Sequence, residues 1–184
     1  MTPWQYRLTT NIIRRGGIIA YPTEAVFGLG CDPVNFRAVE EICRLKRRNL
    51  SKGLILIASH IDQVRAYVSA TPAQLKKLAK TTTSPVTWIM PAQAECPTWL
   101  TGNHHSIAVR ITRHPIAKTL CQQLGHALVS TSANISRQPA ARTALDVQRI
   151  FGDELDMIIH ADTGDSRRPS EIRDITSGKT LRPS

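Results

Sequence analysis

Short apolar runs separated by stretches of helical period make up most of the chain. Residues 18–21, 54–58, 86–90, 106–111 and 157–161 have the length and apolar character of buried strands. Between them lie segments with helix start and stop signals. Residues 4–15 read as an opening helix ended by Gly16-Gly17, and 36–46 as a second with Asn35 as its N-cap. Helices are predicted around 61–68 and 72–80, the latter with Thr71 as N-cap and Pro72 in its first position. His114-Pro115 opens a helix that Gly125 closes, and Thr143-Ala144-Leu145-Asp146 has the form of a capping box starting a helix to Phe151. Thr81-Thr82-Thr83-Ser84-Pro85 reads as a polar loop, 91–105 as irregular, and 162–165 as a turn. Residues 171–175 and 180–182 read as a terminal hairpin around Ser177-Gly178. Strands alternate with helices and then pair locally at the end, which predicts an α/β fold with a sheet of mixed direction.

Four places depart from this pattern toward chemistry. Leu128-Val129-Ser130-Thr131-Ser132-Ala133-Asn134-Ile135-Ser136 begins as a buried strand and changes abruptly to small hydroxyl and amide side chains. These present donors and acceptors on short stems at a strand end, where open α/β sheets bind ligands. A polar loop with an Asn-capped helix start is the alternative. The strand at 18–21 runs into Pro22-Thr23-Glu24 and then Phe27-Gly28-Leu29-Gly30, which reads as a binding loop, although such glycines are also ordinary turn residues. Arg44-Leu45-Lys46-Arg47-Arg48-Asn49-Leu50-Ser51-Lys52 packs five cations into nine residues. They either complement a helix C-terminus or form a phosphate clamp. Arg110 interrupts an otherwise apolar strand and needs a partner, either a protein carboxylate or a ligand's.

Charge narrows the choice of partner. Lys plus Arg number 24 against 14 acidic residues, a net +10, which implies nucleic acid or nucleotide phosphate as partner. Aromatics are only 5%, so the composition suits backbone or shape recognition of folded RNA better than a stacking platform for single strands. Cys31, Cys43, Cys96 and Cys121 form no C-x-x-C, and Met1-Thr2-Pro3-Trp4 does not begin a signal peptide. Four reduced thiols in a cytoplasmic protein are expected. The histidines form no zinc-site spacing, His104-His105 being an isolated pair, and no apolar run approaches membrane-span length.

Seven stretches in order resemble the YrdC-like family of threonylcarbamoyl-AMP synthases. They are Tyr21-Pro22-Thr23-Glu24 with Phe27-Gly28-Leu29-Gly30; Lys46-Arg47-Arg48; Lys52-Gly53-Leu54-Ile55; Pro85-Val86-Thr87; Ala108-Val109-Arg110; Ser130-Thr131-Ser132-Ala133-Asn134; and Leu181-Arg182-Pro183. The resemblance spans almost the whole chain and implies a single domain over 1–184, a twisted open mixed sheet flanked by helices with a concave basic ligand-binding face. It implies a nucleotidyltransferase that condenses L-threonine, bicarbonate and ATP to threonylcarbamoyl-adenylate and pyrophosphate. Mg2+ would enter with the ATP and could lie near Asn134. A separate threonylcarbamoyl transferase complex would then modify the adenosine beside the tRNA anticodon, with tRNA contacting this chain weakly or not at all.

By similarity, Lys46 and Arg48 fall on the ATP phosphates, and Lys52 and Ser106 also meet ATP. Ser132 and Asn134 surround phosphates and magnesium, and Arg182 reaches the nucleotide. Lys46, Arg48, Ser132 and Asn134 are the catalytic candidates. Thr23, Arg110, Ser130 and Ser170 hold threonine, with Arg110 on its carboxylate. Replacing Lys46 or Arg48 by alanine is expected to remove turnover with little effect on unfolding. The sequence departs from the family at Asn49 (usually Pro), Thr83-Ser84 (commonly Pro-Gly), Arg137 (often Gly) and Ile57 (His in some relatives). The net charge and the basic run also suit a non-catalytic RNA-binding or ribosome-maturation factor. A carbamoyl-transfer module of hydrogenase-maturation type is disfavoured by the short length.

Overall fold

The computed structural model describes residues 1–80, 85–166 and 170–183. The predicted loop residues Thr81-Thr82-Thr83-Ser84 lie outside them, and with them the Thr83-Ser84 departure. Nine strands among the described residues form one mixed sheet: β1 Ile19–Pro22, β2 Phe27–Gly30, β3 Ile55–Ala58, β4 Val86–Pro91, β5 Ser106–Ile111, β6 Leu128–Ser132, β7 Met157–Ile158, β8 Glu171–Asp174 and β9 Thr180–Arg182. Their order is β7-β1-β2-β6-β3-β5-β4-β8-β9. The helices are α1 Pro3–Arg14, α2 Phe36–Leu45, α3 Pro72–Ala79, α4 Thr98–Thr101, α5 Pro115–Leu124 and α6 Ala144–Phe151. This is the predicted α/β architecture, open at both edges. Among the described residues no helix is long and apolar enough to cross a membrane.

The predicted caps operate as written. Asn35 accepts from Ala38 N, Thr71 and Gln74 form a reciprocal box, and Thr143 and Asp146 form another. Gly125 ends α5 in the left-handed region. Other expectations need correction. Residues 27–30 are not a loop but a strand, paired antiparallel to β1 with Tyr21 opposite Gly28. Gly30 is there for proximity rather than turning, since a Cβ would stand 2.7 Å from the Tyr21 ring and 2.9 Å from a Leu128 methyl. The helix expected at 61–68 is a 3-10 turn over Ile61–Val64. Val64, Tyr67 and Val68 have helical spacing, but Val68 bridges Ala92 in strand fashion instead. The stretch expected to be irregular at 91–105 contains α4, and the strand at 157–161 shrinks to two residues at the sheet edge.

Alternation along the strands gives the sheet two unlike faces. Ala20, Leu29, Val129, Leu56, Val109, Trp88 and Met90 point to one, where they pack with Ala38, Val39 and Ile42 of α2, Leu78 of α3, Leu100 of α4, and Val147 and Phe151 of α6. Ile19, Tyr21, Leu128 and Ile57 point to the other and meet Ile13 of α1 and Ala117, Leu120 and Leu124 of α5. α1 and α5 cover only part of that second face. The remainder carries Gly28, Ser130, Ser132, Ile55, Ser106, Ala108 and Arg110, and these line a cleft.

Candidate active site

The cleft holds about 580 Å³ and is bounded by the β1–β2 turn, the chain after α2, the end of β6 and the β8–β9 hairpin. Ten of the eleven residues singled out in the sequence line it: Thr23, Arg48, Lys52, Ser106, Arg110, Ser130, Ser132, Asn134, Ser170 and Arg182. They come from β5, β6, β9 and four connecting segments. Lys46 is the exception.

The geometry after α2 explains why Lys46 and Arg48 part company. Arg47 N donates to Arg44 O and Arg48 N to Cys43 O, both at 2.9 Å, the pattern of a Schellman motif. Arg47 sits at its left-handed position, φ 49, and stays exposed. The reversal turns Lys46 inward and Arg48 toward the cleft. Lys46 is 2% exposed. Its Nζ donates to the main-chain oxygen of Ser132, to Asn134 O at 2.9 Å and to Asn134 Oδ1 at 3.3 Å. Burial, and then the neighbouring Arg48 charge, push its pKa down to about 8. Asn134 is fixed further: Ser132 Oγ donates to its Oδ1 at 2.6 Å, and its Nδ2 donates to Ile135 O and Gln138 O. Lys46 is therefore a buried anchor under the Ser132–Asn134 turn. This geometry argues against the expectation that alanine there has little effect on unfolding, because two main-chain oxygens would lose their donor.

Arg48 is held by its Nη2, which donates to Gly53 O at 2.9 Å, while its Nε is buried without a partner among the described residues. Asn49 caps the next turn by accepting from Ser51 N at 2.8 Å, and its φ of −71 is one proline would also adopt. Lys52 is exposed at the cleft rim beside Ser106. The turn carrying it docks on α4 through Leu54 N to Leu100 O, 2.8 Å, and Asn103 N to Ser51 O, 3.0 Å.

At the other end the cleft is more enclosed. Arg110 is 8% exposed, and its Nη2 lies 3.7 Å from Glu24 Oε2. Thr23 Oγ1 donates to Val26 O at 2.7 Å, which closes the β1–β2 turn. Ser130 is 4% exposed, and Ser170 at 3% shares a 2.8 Å hydrogen bond with Thr87. Arg182 Nη2 donates to Ser170 O at 2.8 Å, so the terminal hairpin ties one end of the site to the other. Burial and then the Arg110 charge lower the Arg182 guanidinium from its ordinary value. Tyr21 lies wholly buried beneath this end, and burial raises its phenol well above the usual range.

The sequence reading missed Glu24, His104, Gln138 and Leu181, all of which line the cleft. Glu24 was visible beside Thr23, but nothing in the sequence said that its side chain turns inward. Ile57, where some relatives have His, is wholly buried in the core with α5. Among the described residues no group of three acidic, His or Cys side chains could hold a metal ion. Ser132 and Asn134 offer only neutral oxygens, which suits an ion held mainly by a bound nucleotide's phosphates.

Comparison with known proteins identifies the family and the fold. The Sua5/YciO/YrdC family model, described as telomere recombination, matches residues 11–184. The threonylcarbamoyl-AMP synthase of Nitrosococcus oceani is 51% identical over 180 residues, 97% of each chain. A variant of P. abyssi Sua5 superposes with a TM-score of 0.92 at 30% identity, over 100% of this chain and 57% of that longer one. P. abyssi Sua5 complexed with L-threonine superposes with a TM-score of 0.88 at 29% identity, over 95% of this chain and 52% of that one. The chain belongs to the Sua5/YciO/YrdC family.

Proposed function

We propose that this chain is a threonylcarbamoyl-AMP synthase, condensing L-threonine, bicarbonate and ATP to threonylcarbamoyl-adenylate with release of pyrophosphate. The observation that carries the reading is the polarity of one cleft. Its enclosed end sets Arg110 among Thr23, Ser130 and Ser170, and its other end sets Arg48 and Lys52 beside Ser132 and Asn134. The first suits a small hydroxy amino acid, with Arg110 forked on its carboxylate. The second suits a polyphosphate, and P. abyssi Sua5, a structural neighbour, is known in complex with L-threonine.

The chemistry follows from that arrangement. The neutral amine of threonine and bicarbonate give a carbamate with loss of one water, and that carbamate survives only when held away from bulk water. A carbamate oxygen then attacks the α-phosphate in line, and pyrophosphate leaves. Arg48 and Lys52 neutralise charge on the phosphates, while Ser132 and Asn134 orient them. Mg2+ would enter with the nucleotide, held mainly by its phosphates near Asn134, and would supply charge neutralisation there. Lys46 acts from beneath, as the anchor of the Ser132–Asn134 turn. The adenylate passes to a separate transferase that modifies tRNA beside the anticodon, and four buried free thiols suit a reducing cytoplasm.

The test is pyrophosphate release from ATP and magnesium in the complete mixture, against matched reactions lacking threonine or bicarbonate. Release confined to the complete mixture is expected. No release, with RNA bound, would favour the non-catalytic RNA-binding role instead. Arg110→Lys should weaken threonine use far more than ATP use, because an ammonium cannot reproduce the fork.

A further inference from the structure

Glu24 is the single carboxylate among the described residues lining the cleft, and the reading above gives it no role. It stands in the β1–β2 turn with its side chain 13% exposed. Its Oε1 accepts from Thr112 Oγ1 at 2.8 Å, Arg113 N at 3.0 Å and His114 N at 3.3 Å. The backbone is held as firmly: Gly164 N donates to Thr23 O and Ser166 N to Glu24 O. Gly164 packs so closely that a Cβ there would stand 2.9 Å from Glu24 O. The residue is thus pinned from two sides, independently of Arg110.

Its other oxygen is different. Glu24 Oε2 is buried, has no hydrogen-bond partner among the described residues, and lies 3.7 Å from Arg110 Nη2. That is too long for a hydrogen bond, yet close enough to balance charge. Arg110 Nε is likewise buried and unpartnered. A closed, forked pair would satisfy the guanidinium and compete with any ligand carboxylate. An absent carboxylate would leave a buried cation uncompensated. The structure has the intermediate arrangement, set by the three donors that hold Oε1 back.

We infer that Glu24 is a positioning residue for amino-acid binding: pinned by the Thr112–His114 turn, it keeps the Arg110 guanidinium aimed into the cleft while leaving its donors open for the substrate carboxylate. The inference rests on the synthase reading and deepens it. Glu24→Gln retains an oxygen for Thr112, Arg113 and His114 but removes the charge. It should raise the threonine KM and the calorimetric threonine Kd about tenfold, equivalent to ~1.4 kcal/mol, with the ATP KM essentially unchanged. Thr112→Val removes the side-chain donor of the three on Oε1, loosens the carboxylate toward Arg110, and should weaken threonine in the same direction without lowering the melting temperature of the chain. Glu24→Asp should recover part of the threonine affinity lost in Glu24→Gln. A Glu24→Gln chain that binds threonine as well as the parent, or that loses threonine and ATP use alike together with stability, overturns the inference. If Glu24→Gln does not fold, Thr112→Val decides alone, and unchanged threonine binding there overturns it. Failure of the parent chain to bind threonine at all would instead overturn the synthase reading.

Discussion

Lys46 donates to the main-chain oxygens of Ser132 and Asn134, and so ties the end of α2 to the end of β6. The contact joins sequence positions far apart, and the turn it supports carries two of the proposed nucleotide-binding side chains. Lys46→Met keeps the aliphatic stem and removes the donor. Leaving two carbonyl oxygens short of a partner should cost about 2–4 kcal/mol, and lower the melting temperature by roughly 5–15 °C. Pyrophosphate release should fall with it. An unchanged melting temperature would contradict the anchoring role.

Arg47 and Arg137 occupy left-handed backbone, with φ of 49 and 71. A side chain there costs about 1 kcal/mol or more relative to glycine. Arg47→Gly and Arg137→Gly should therefore each raise the melting temperature by about 2–4 °C, read by thermal unfolding. The departure at Arg137, where relatives often have Gly, has its physical meaning here. A fall on substitution would mean that the arginine side chains contribute more than the backbone loses.

Two glycines of β2 make opposite predictions. A Cβ on Gly28 would meet Ser130 Oγ, a Thr23 methyl and the Tyr21 ring, all at 3.4 Å, which is tolerable contact. Gly28→Ala should fold normally and raise the threonine KM by narrowing the enclosed end of the cleft. A Cβ on Gly30 would meet three atoms at 2.7–2.9 Å, one of them the Val129 carbonyl oxygen. Gly30→Ala should destabilise by about 1–3 kcal/mol, measured by urea unfolding. Equal stability of the two variants would refute the packing argument.

Acid should erase a stabilisation that neutral pH preserves. Burial alone would raise the Glu24 carboxyl, but Arg110 and the hydrogen bonds from Thr112 and Arg113 outweigh it, so its pKa lies below the ordinary value. Folded Glu24 therefore holds its proton less tightly than the unfolded chain does. Its contribution is complete above the unfolded value of about 4.3 and is lost as pH falls through the lower folded value. The nearby His114 is itself lowered, first by burial. The stability gap between the parent chain and Glu24→Gln should be widest near neutrality and shrink below about pH 4. A gap independent of pH would mean that the charge plays no part.

Much of this was legible before any fold was known, because its causes are local. Caps at Asn35, Thr71 and Thr143 depend on residues three positions away. Apolar runs of strand length marked β1, β3, β4 and β5, and the hydroxyl cluster at 128–136 announced its own chemistry. The basic run after α2 was equally plain, but the division of labour within it was not. Whether a cation meets a ligand or a carbonyl depends on a left-handed residue at position 47 and on what lies beneath.

The sequence by itself determined most of the element types, their caps and the polar chemistry concentrated at 128–136, since these follow from side-chain period and short-range hydrogen bonding. The tertiary structure alone decided that Phe27–Gly30 is a strand, that Lys46 is buried while Arg48 is not, and that Glu24 faces Arg110. Each of these depends on which residues distant in the chain share one sheet face. Steric fit and charge compensation act between neighbours in space, and a linear order does not specify those neighbours.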